Sequence, residues 1–407
     1  MDATNGVNLE SNYPLVIVGG GLVGATLAIS LKAIGISPLV VEPFAIDSEQ
    51  QPSFDDRSVA LSLASLNALS ELGLTQVLPF LNPIHHIHVS DQGHYGFTRI
   101  HAQDYGFDEL GAVVENFRLG QALISSLTQH GIDYCCPARV TKIEQSKPEN
   151  NANQALLTLV SEEQSYQVKT PLVILADGAR SQLRESLAFE AKLTDFKAEA
   201  IVCNIQTQQP HQNRAFERFT NTGPLALLPL SSNRLSVVWS QPKAEAQALL
   251  SASVSDFGKA LTDVFGARLG KVTRVGRRQS FPLVQLVTDN TIKGRCLLMG
   301  NSAQSLHPIA GQGLNLAIRD IMAFQAFVAT KLASDPQADL GDYQWLNQYQ
   351  QARQADRQHT VWITESLARL FANDSKLLSV SRNLLMKAVD IVPIAKETLA
   401  KNAMGFR

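Results

Sequence analysis

Cysteine is scarce in this chain of 407 residues, and neither sign of charge is in excess. The four cysteines are Cys135, Cys136, Cys203 and Cys296, and no C-x-x-C occurs. That spacing excludes a disulfide framework and a thiolate zinc site, and it fits reduced thiols in a cytoplasmic protein. Lys and Arg number 35 against 37 Asp and Glu, a formal net charge of −2, so broad electrostatic binding of nucleic acid is not expected. No apolar run reaches the ~18 residues that span a bilayer. Met1 to Asn12 lacks a basic-then-apolar order, so no signal peptide is expected. Histidines crowd together only at His85-His86-Ile87-His88. On a strand, His86 and His88 would share a face, but no Cys or acid joins them at ligand spacing, so no metal is expected. What is present is an ordinary globular composition, 45% apolar and 18% charged, on a chain too long for one hydrophobic core. Two lobes are expected.

Three motifs recur at the ends of short apolar runs. Leu15-Val16-Ile17-Val18 reads as a strand buried on both faces, and Gly19-Gly20-Gly21-Leu22-Val23-Gly24 follows it. A helical pattern then runs to about Ile34, and Pro38-Leu39-Val40-Val41 makes a second strand that ends at Glu42, 18 residues after Gly24. In this context the G-x-G-x-x-G is a dinucleotide fingerprint. Gly19 makes the turn, Gly21 lets a pyrophosphate approach, Gly24 packs helix on strand, and Glu42 suits a ribose with free hydroxyls. The second motif is Asp177-Gly178 after Pro171-Leu172-Val173-Ile174-Leu175-Ala176; alone, this pair is an ordinary turn. The third is Gly300-Asn301-Ser302-Ala303-Gln304-Ser305-Leu306-His307-Pro308-Ile309-Ala310-Gly311-Gln312-Gly313-Leu314-Asn315, between the strand Cys296–Met299 and a helical pattern from Leu314. A strand, a glycine-rich turn and a long helix present backbone N–H groups to an anion.

The order of these motifs resembles the flavoprotein aromatic hydroxylases, the single-component p-hydroxybenzoate hydroxylase group. The similarity is strongest to the hydroxylases of ubiquinone biosynthesis. His307 to Asn315 with Asp320 fits that family's C-terminal FAD signature. His88-Val89-Ser90-Asp91, Arg214 to Thr220, Gly223 to Pro229 and Leu370-Phe371-Ala372-Asn373 resemble the branch acting on 2-polyprenyl-6-methoxyphenol. Most flavin hydroxylases have Gly-Asp where this chain has Gly300-Asn301. The methoxyphenol branch shares the Asn, which offers an amide in place of a charge. Ala317 replaces a glycine of the signature.

The resemblance implies an α/β fold: an FAD-binding Rossmann-like domain with an inserted antiparallel β-sheet substrate domain and a helical C-terminal tail. On this reading residues 1–75, 102–182 and 280–335 form the FAD lobe. Residues 76–101 and 190–279 form an antiparallel sheet over the flavin, and 340–407 are helical with a break near Pro393. The implied cofactor contacts are Gly19, Gly21, Gly24, Glu42, Arg57, Gln121, Asp177, Gly178, Asn301, Pro308, Gly311, Gln312, Gly313, Leu314 and Asn315. His307 is a weak candidate for a catalytic role.

The tail mixes Leu, Met and Val with Lys and Arg. Such a segment serves either as core packing or as a contact surface. Beyond Asn373 it is expected to serve membrane or partner contact more than chemistry. Peripheral attachment to the inner face of the cytoplasmic membrane and assembly with other proteins of the pathway are the corresponding expectations. The implied chemistry is hydroxylation of a polyprenyl phenol through NAD(P)H-reduced flavin, O2 and a C4a-hydroperoxide. Two rivals share the first motif: an FAD oxidase or dehydrogenase of another small molecule, and an FAD-holding scaffold in a multiprotein assembly.

Overall fold

The computed structural model describes residues 11–45, 57–94, 96–145, 153–161, 164–308, 311–371 and 393–406. Ile309, Ala310, Ala372 and Asn373 of the family signatures, and the Leu- and Lys-rich stretch 374–392, lie outside them.

A six-stranded sheet runs in the order Ile292–Lys293, Cys296–Leu298, Val173–Leu175, Val16–Val18, Leu39–Val41, Asp133–Cys135. All its pairings are parallel except that of the two-residue edge strand. The runs read as continuously apolar because both faces are covered. Ile17, Val40, Ile174 and Leu297 meet the helices Leu22–Ala33, Asn116–Gln129 and Gln312–Ser334. Val16, Val18, Leu39, Val41, Val173 and Leu175 meet a three-stranded sheet formed by Arg139–Gln145, Ala155–Ser161 and Gln164–Thr170. Val18, Val41, Leu175 and Leu298 stand in one register row. The three motifs therefore leave the sheet from the same edge.

The nine-stranded sheet joins both inserted pieces. Arg214–Thr220 pairs with His86–Asp91, Arg214 beside His86, in parallel. The sheet expected as antiparallel thus carries a parallel junction here. The other pairings within this sheet are antiparallel. Hairpin turn signals report only neighbours in sequence, and this junction spans more than a hundred residues, so no local signal sets its direction. The strand Gln279–Val287 also hydrogen-bonds into this sheet, beside Lys192–Thr207, and places 280–287 there.

Strand periodicity gives the large sheet two apolar faces. Ile201, Cys203, Leu225, Leu227, Val237 and Trp239 pack under the helices Lys243–Ser251 and Val254–Phe265, with Phe257 and Leu261. The alternate residues Val202, Ala226 and Val238 line a cavity.

The long helix Gln312–Ser334 is bolted to Tyr343–Phe371 by buried ion pairs. Asp320 is fully buried, and its carboxylate accepts from Arg353 Nε at 2.7 Å and Arg357 Nε at 3.2 Å. Arg319 Nε donates to Asp356 at 2.9 Å. Asp320, the last residue of the family signature, is thus spent on joining helices.

The last helix among the described residues is Pro393–Met404, with its proline in the first turn. It does not stand apart. Ala400 and Met404 are buried against Ile100, Ala102 and Leu110, and Phe406 stacks on Phe107. Residues 393–406 thus pack on the stretch from Ile100 to Leu110.

Candidate FAD and substrate site

The glycine loop is shaped by its neighbours. Gly19 has φ +103°, and a Cβ there would lie 2.6 Å from the Ala176 carbonyl oxygen. A Cβ at Gly24 would collide with the Gly19 carbonyl oxygen. Both positions therefore require glycine. Glu42 is buried; its carboxylate accepts from the N–H of Gly20 at 2.7 Å and of Phe44 at 3.0 Å. The acid at the second strand's end thus also fixes the loop. Gly21 is the N-cap of Leu22–Ala33 and no side chain caps that helix end. Free first-turn N–H groups at the dipole's positive end suit a pyrophosphate.

Asp177 lies beside this loop. Ser181 Oγ donates to one carboxylate oxygen at 2.6 Å, while the other, Oδ1, is buried with no partner among the described residues. Burial pushes its pKa up, against the Ser181 hydrogen bond. An orphaned buried acceptor at the strand edge is what a cofactor hydroxyl would satisfy. Gly178, with φ +88°, has open space where a side chain would stand. Asp177→Ala is expected to weaken FAD binding about ten-fold or more, the scale of one hydrogen bond to a charged group. Titration of the apoprotein with FAD, followed by fluorescence quenching, measures it; unchanged affinity would remove Asp177 from the site.

The third motif closes the other side. Gly300 sits against Val23 of the first helix: a Cβ there would lie 2.9 Å from its side chain. Arg184, unforeseen from the sequence, is buried and donates to the carbonyls of Ala179 at 3.0 Å and Ser302 at 3.4 Å, which ties the second motif to the third. Gly311 caps Gln312–Ser334 with φ +60°, again without a side-chain cap. Asn315 donates to the carbonyls of Ala60 at 2.9 Å and Gly311 at 2.8 Å and accepts from Ser62 N–H at 2.9 Å. Its amide therefore holds the turn against the strand Ser58–Ser62.

A cavity of about 600 Å³ runs from this turn to the large sheet. Arg57, Asn301, His307, Pro308 and Gly311 to Asn315 form one end; Ile87, Val89, Val202, Phe219, Leu228 and Val238 belong to the other. The Arg57 guanidinium lies over the Phe281 ring at 4.7 Å. His307 is buried edge-on to Phe196, with ring centroids 5.0 Å apart, and burial pushes its pKa down to about 4. It is therefore a neutral imidazole at physiological pH, and its Nδ1 has no partner among the described residues. Gln121 is exposed on Asn116–Gln129 and outside the cavity. Glu217 also lines the cavity, and sequence reasoning passed over it. The available signal was its period-two spacing from Ala215 and Phe219.

Residues 12–362 match the model of the FAD binding domain family. The chain belongs to this family. Among its relatives is the ubiquinone hydroxylase UbiL of Rhodospirillum rubrum, 33% identical over 395 residues, which covers 96% of this chain and 89% of that one. Another is the 3-demethoxyubiquinol 3-hydroxylase of Escherichia coli, 29% identical over 412 residues, covering 97% and 100%. Among solved structures, the p-nitrophenol 4-monooxygenase PnpA of Pseudomonas putida has a TM-score of 0.78 at 16% identity, covering 98% of this chain and all of that one, a likeness of fold. The expected FAD hydroxylase architecture is thus borne out, and the three motifs of this family member meet at one sheet edge.

Proposed function

We propose that the protein hydroxylates the aromatic ring of a polyprenyl phenol in ubiquinone biosynthesis, with FAD as cofactor, NAD(P)H as electron donor and O2 as co-substrate. The observation that carries this reading is the cavity of about 600 Å³ that joins the Gly311–Asn315 turn to an apolar sheet face. FAD, when bound, supplies the hydride acceptor and the oxygen-activating centre. The free N–H groups of Leu22 to Gly24 would hold its pyrophosphate, Glu42 and Asp177 its hydroxyls, and the N-terminus of Gln312–Ser334 its ring edge. Asn301, Arg57 and Pro308 would border the ring. A role for Gln121 rests on the family resemblance.

The chain's own residues exclude water and hold the substrate. Aliphatic side chains line the sheet face, and each buried CH₂ of a prenyl group gains roughly 0.8 kcal/mol. A tail dissolved in a bilayer has to be drawn from it or passed on by a carrier. Peripheral contact with the inner membrane face or with other proteins of the pathway belongs to this reading. Among the described residues, no helix is long and apolar enough to cross a membrane.

The test is reduction of the FAD-loaded protein by NADPH or NADH under anaerobic conditions, with and without a short-chain prenylphenol, then admission of ¹⁸O₂. The expected result is reduction by the nucleotide, accelerated by the phenol, and one ¹⁸O in a hydroxylated ring. Reduction by the phenol itself would indicate an oxidase. A flavin that neither nucleotide nor phenol reduces would indicate a scaffold.

A further inference from the structure

The cavity face of the large sheet is apolar except at its centre. One register row crosses five strands as Val202, Val238, Ala226, Glu217, Val89, with Thr98 on a sixth. All six residues line the cavity. A carboxyl group thus stands in the middle of a row otherwise built from Val, Ala and Thr. The exposed part of its side chain opens into the cavity. An unpaired carboxylate in apolar surroundings is costly, and a Val or Gln would pack at this position without that cost.

Among the described residues, the other ionisable groups of the cavity lining are Arg57 and His307, at the end formed by the third motif. Arg214 and Arg218, at alternating positions on the same strand, face the opposite side; Arg218 Nε donates to the Val264 carbonyl there at 2.8 Å. His88 on the neighbouring strand lies on that side too, against Phe216. Leu367 and, from the last helix, Leu399 and Ala403 complete the lining without a charge. With no charged neighbour among the described residues to offset it, burial pushes the Glu217 pKa up to about 7. An acid that titrates near neutrality in a closed site can exchange a proton at working pH.

We propose that Glu217 receives the phenolic hydroxyl of the substrate and accepts its proton during ring hydroxylation. This rests on the hydroxylase reading above and adds the group that orients the ring. In the step, the phenol O–H bond breaks and an O–H bond forms on the Glu217 carboxylate. The electron pair stays on the phenolate oxygen, where it enriches the ring, and nothing is oxidised or reduced. The reverse transfer restores the phenol before product leaves.

The experiment measures binding of a short-chain prenylphenol and of its methyl ether to the FAD-loaded protein, from the change in flavin absorbance, between about pH 5.5 and about pH 8.5. Above the Glu217 pKa of about 7, the wild type is expected to prefer the phenol by about ten-fold or more, the ratio for a hydrogen bond to a charged acceptor. The preference shrinks as Glu217 takes up its proton at lower pH. In Glu217→Gln it is smaller and independent of pH; in Glu217→Leu it vanishes while the ether binds as before. Turnover of Glu217→Gln is expected to fall by about 10²-fold or more at unchanged FAD content. A preference that persists in both variants with the wild-type pH dependence overturns the role of Glu217 and leaves the hydroxylase reading standing. A wild type that binds neither compound overturns both.

Discussion

Gly21→Val is expected to give a folded, colourless protein. Gly21 is half-exposed at the N-cap of Leu22–Ala33. A branched side chain there would stand where a pyrophosphate has to reach the free N–H groups of the first turn. Flavin absorbance per protein should fall below about a tenth of wild type, since losing the close phosphate contacts removes several charge-assisted hydrogen bonds together. Circular dichroism and melting temperature should stay near those of wild-type apoprotein. Gly24→Ala is the contrasting control. Its Cβ would strike the backbone carbonyl of Gly19, which no rotamer change relieves, so the cost falls on folding, about 1–3 kcal/mol or more. Stoichiometric FAD in purified Gly21→Val would refute the placement of the cofactor at this loop.

Gly19 and Gly24 also illustrate what was legible in the sequence. A tight turn and a helix packed on a strand require glycine through local geometry alone, so spacing reveals them. The same holds for the register row Val18, Val41, Leu175, Leu298: runs apolar on both faces announce buried parallel strands, and ligands gather at their carboxyl ends. The large sheet was less legible. Both of its faces are apolar, one against helices and one against a cavity, so Ile201 and Val202 look alike in sequence although only the second faces the cavity. Glu217 was hidden for the same reason, because an acid on a strand reads as solvent-facing until the opposite wall is known. The ties of Arg184 to Ser302 and of Asp320 to Arg353 and Arg357 could not be read either, since those partners lie far along the chain.

Removing the last helix by ending the chain after Val392 is expected to damage the substrate end of the cavity and spare the cofactor end. The sequence alone leaves core packing and contact surface both open for this tail, with surface contact expected beyond Asn373. For residues 393–406 the packing favours the first. Ala400 and Met404 are buried, and they cover Ile100, Ala102 and Leu110, which are themselves almost wholly inaccessible. Leu399 and Ala403 form part of the cavity wall, and the chain at Gly405 passes close to Ser62. Without the helix that wall opens to water. Two lost aliphatic contacts at roughly 0.8 kcal/mol per CH₂ already correspond to a rise of about ten-fold in KM for a short-chain prenylphenol. The loop at Gly19 to Gly24 and the pair Asp177–Ser181 lie on the other sheet, so FAD content should hold. A site open to water should also waste reducing equivalents, seen as more peroxide released per NAD(P)H oxidised. Full activity and coupling on the soluble phenol, with loss only on membrane-held substrate, would return the tail to the surface role and leave the cavity closed by the sheet and the helix Tyr343–Phe371 alone.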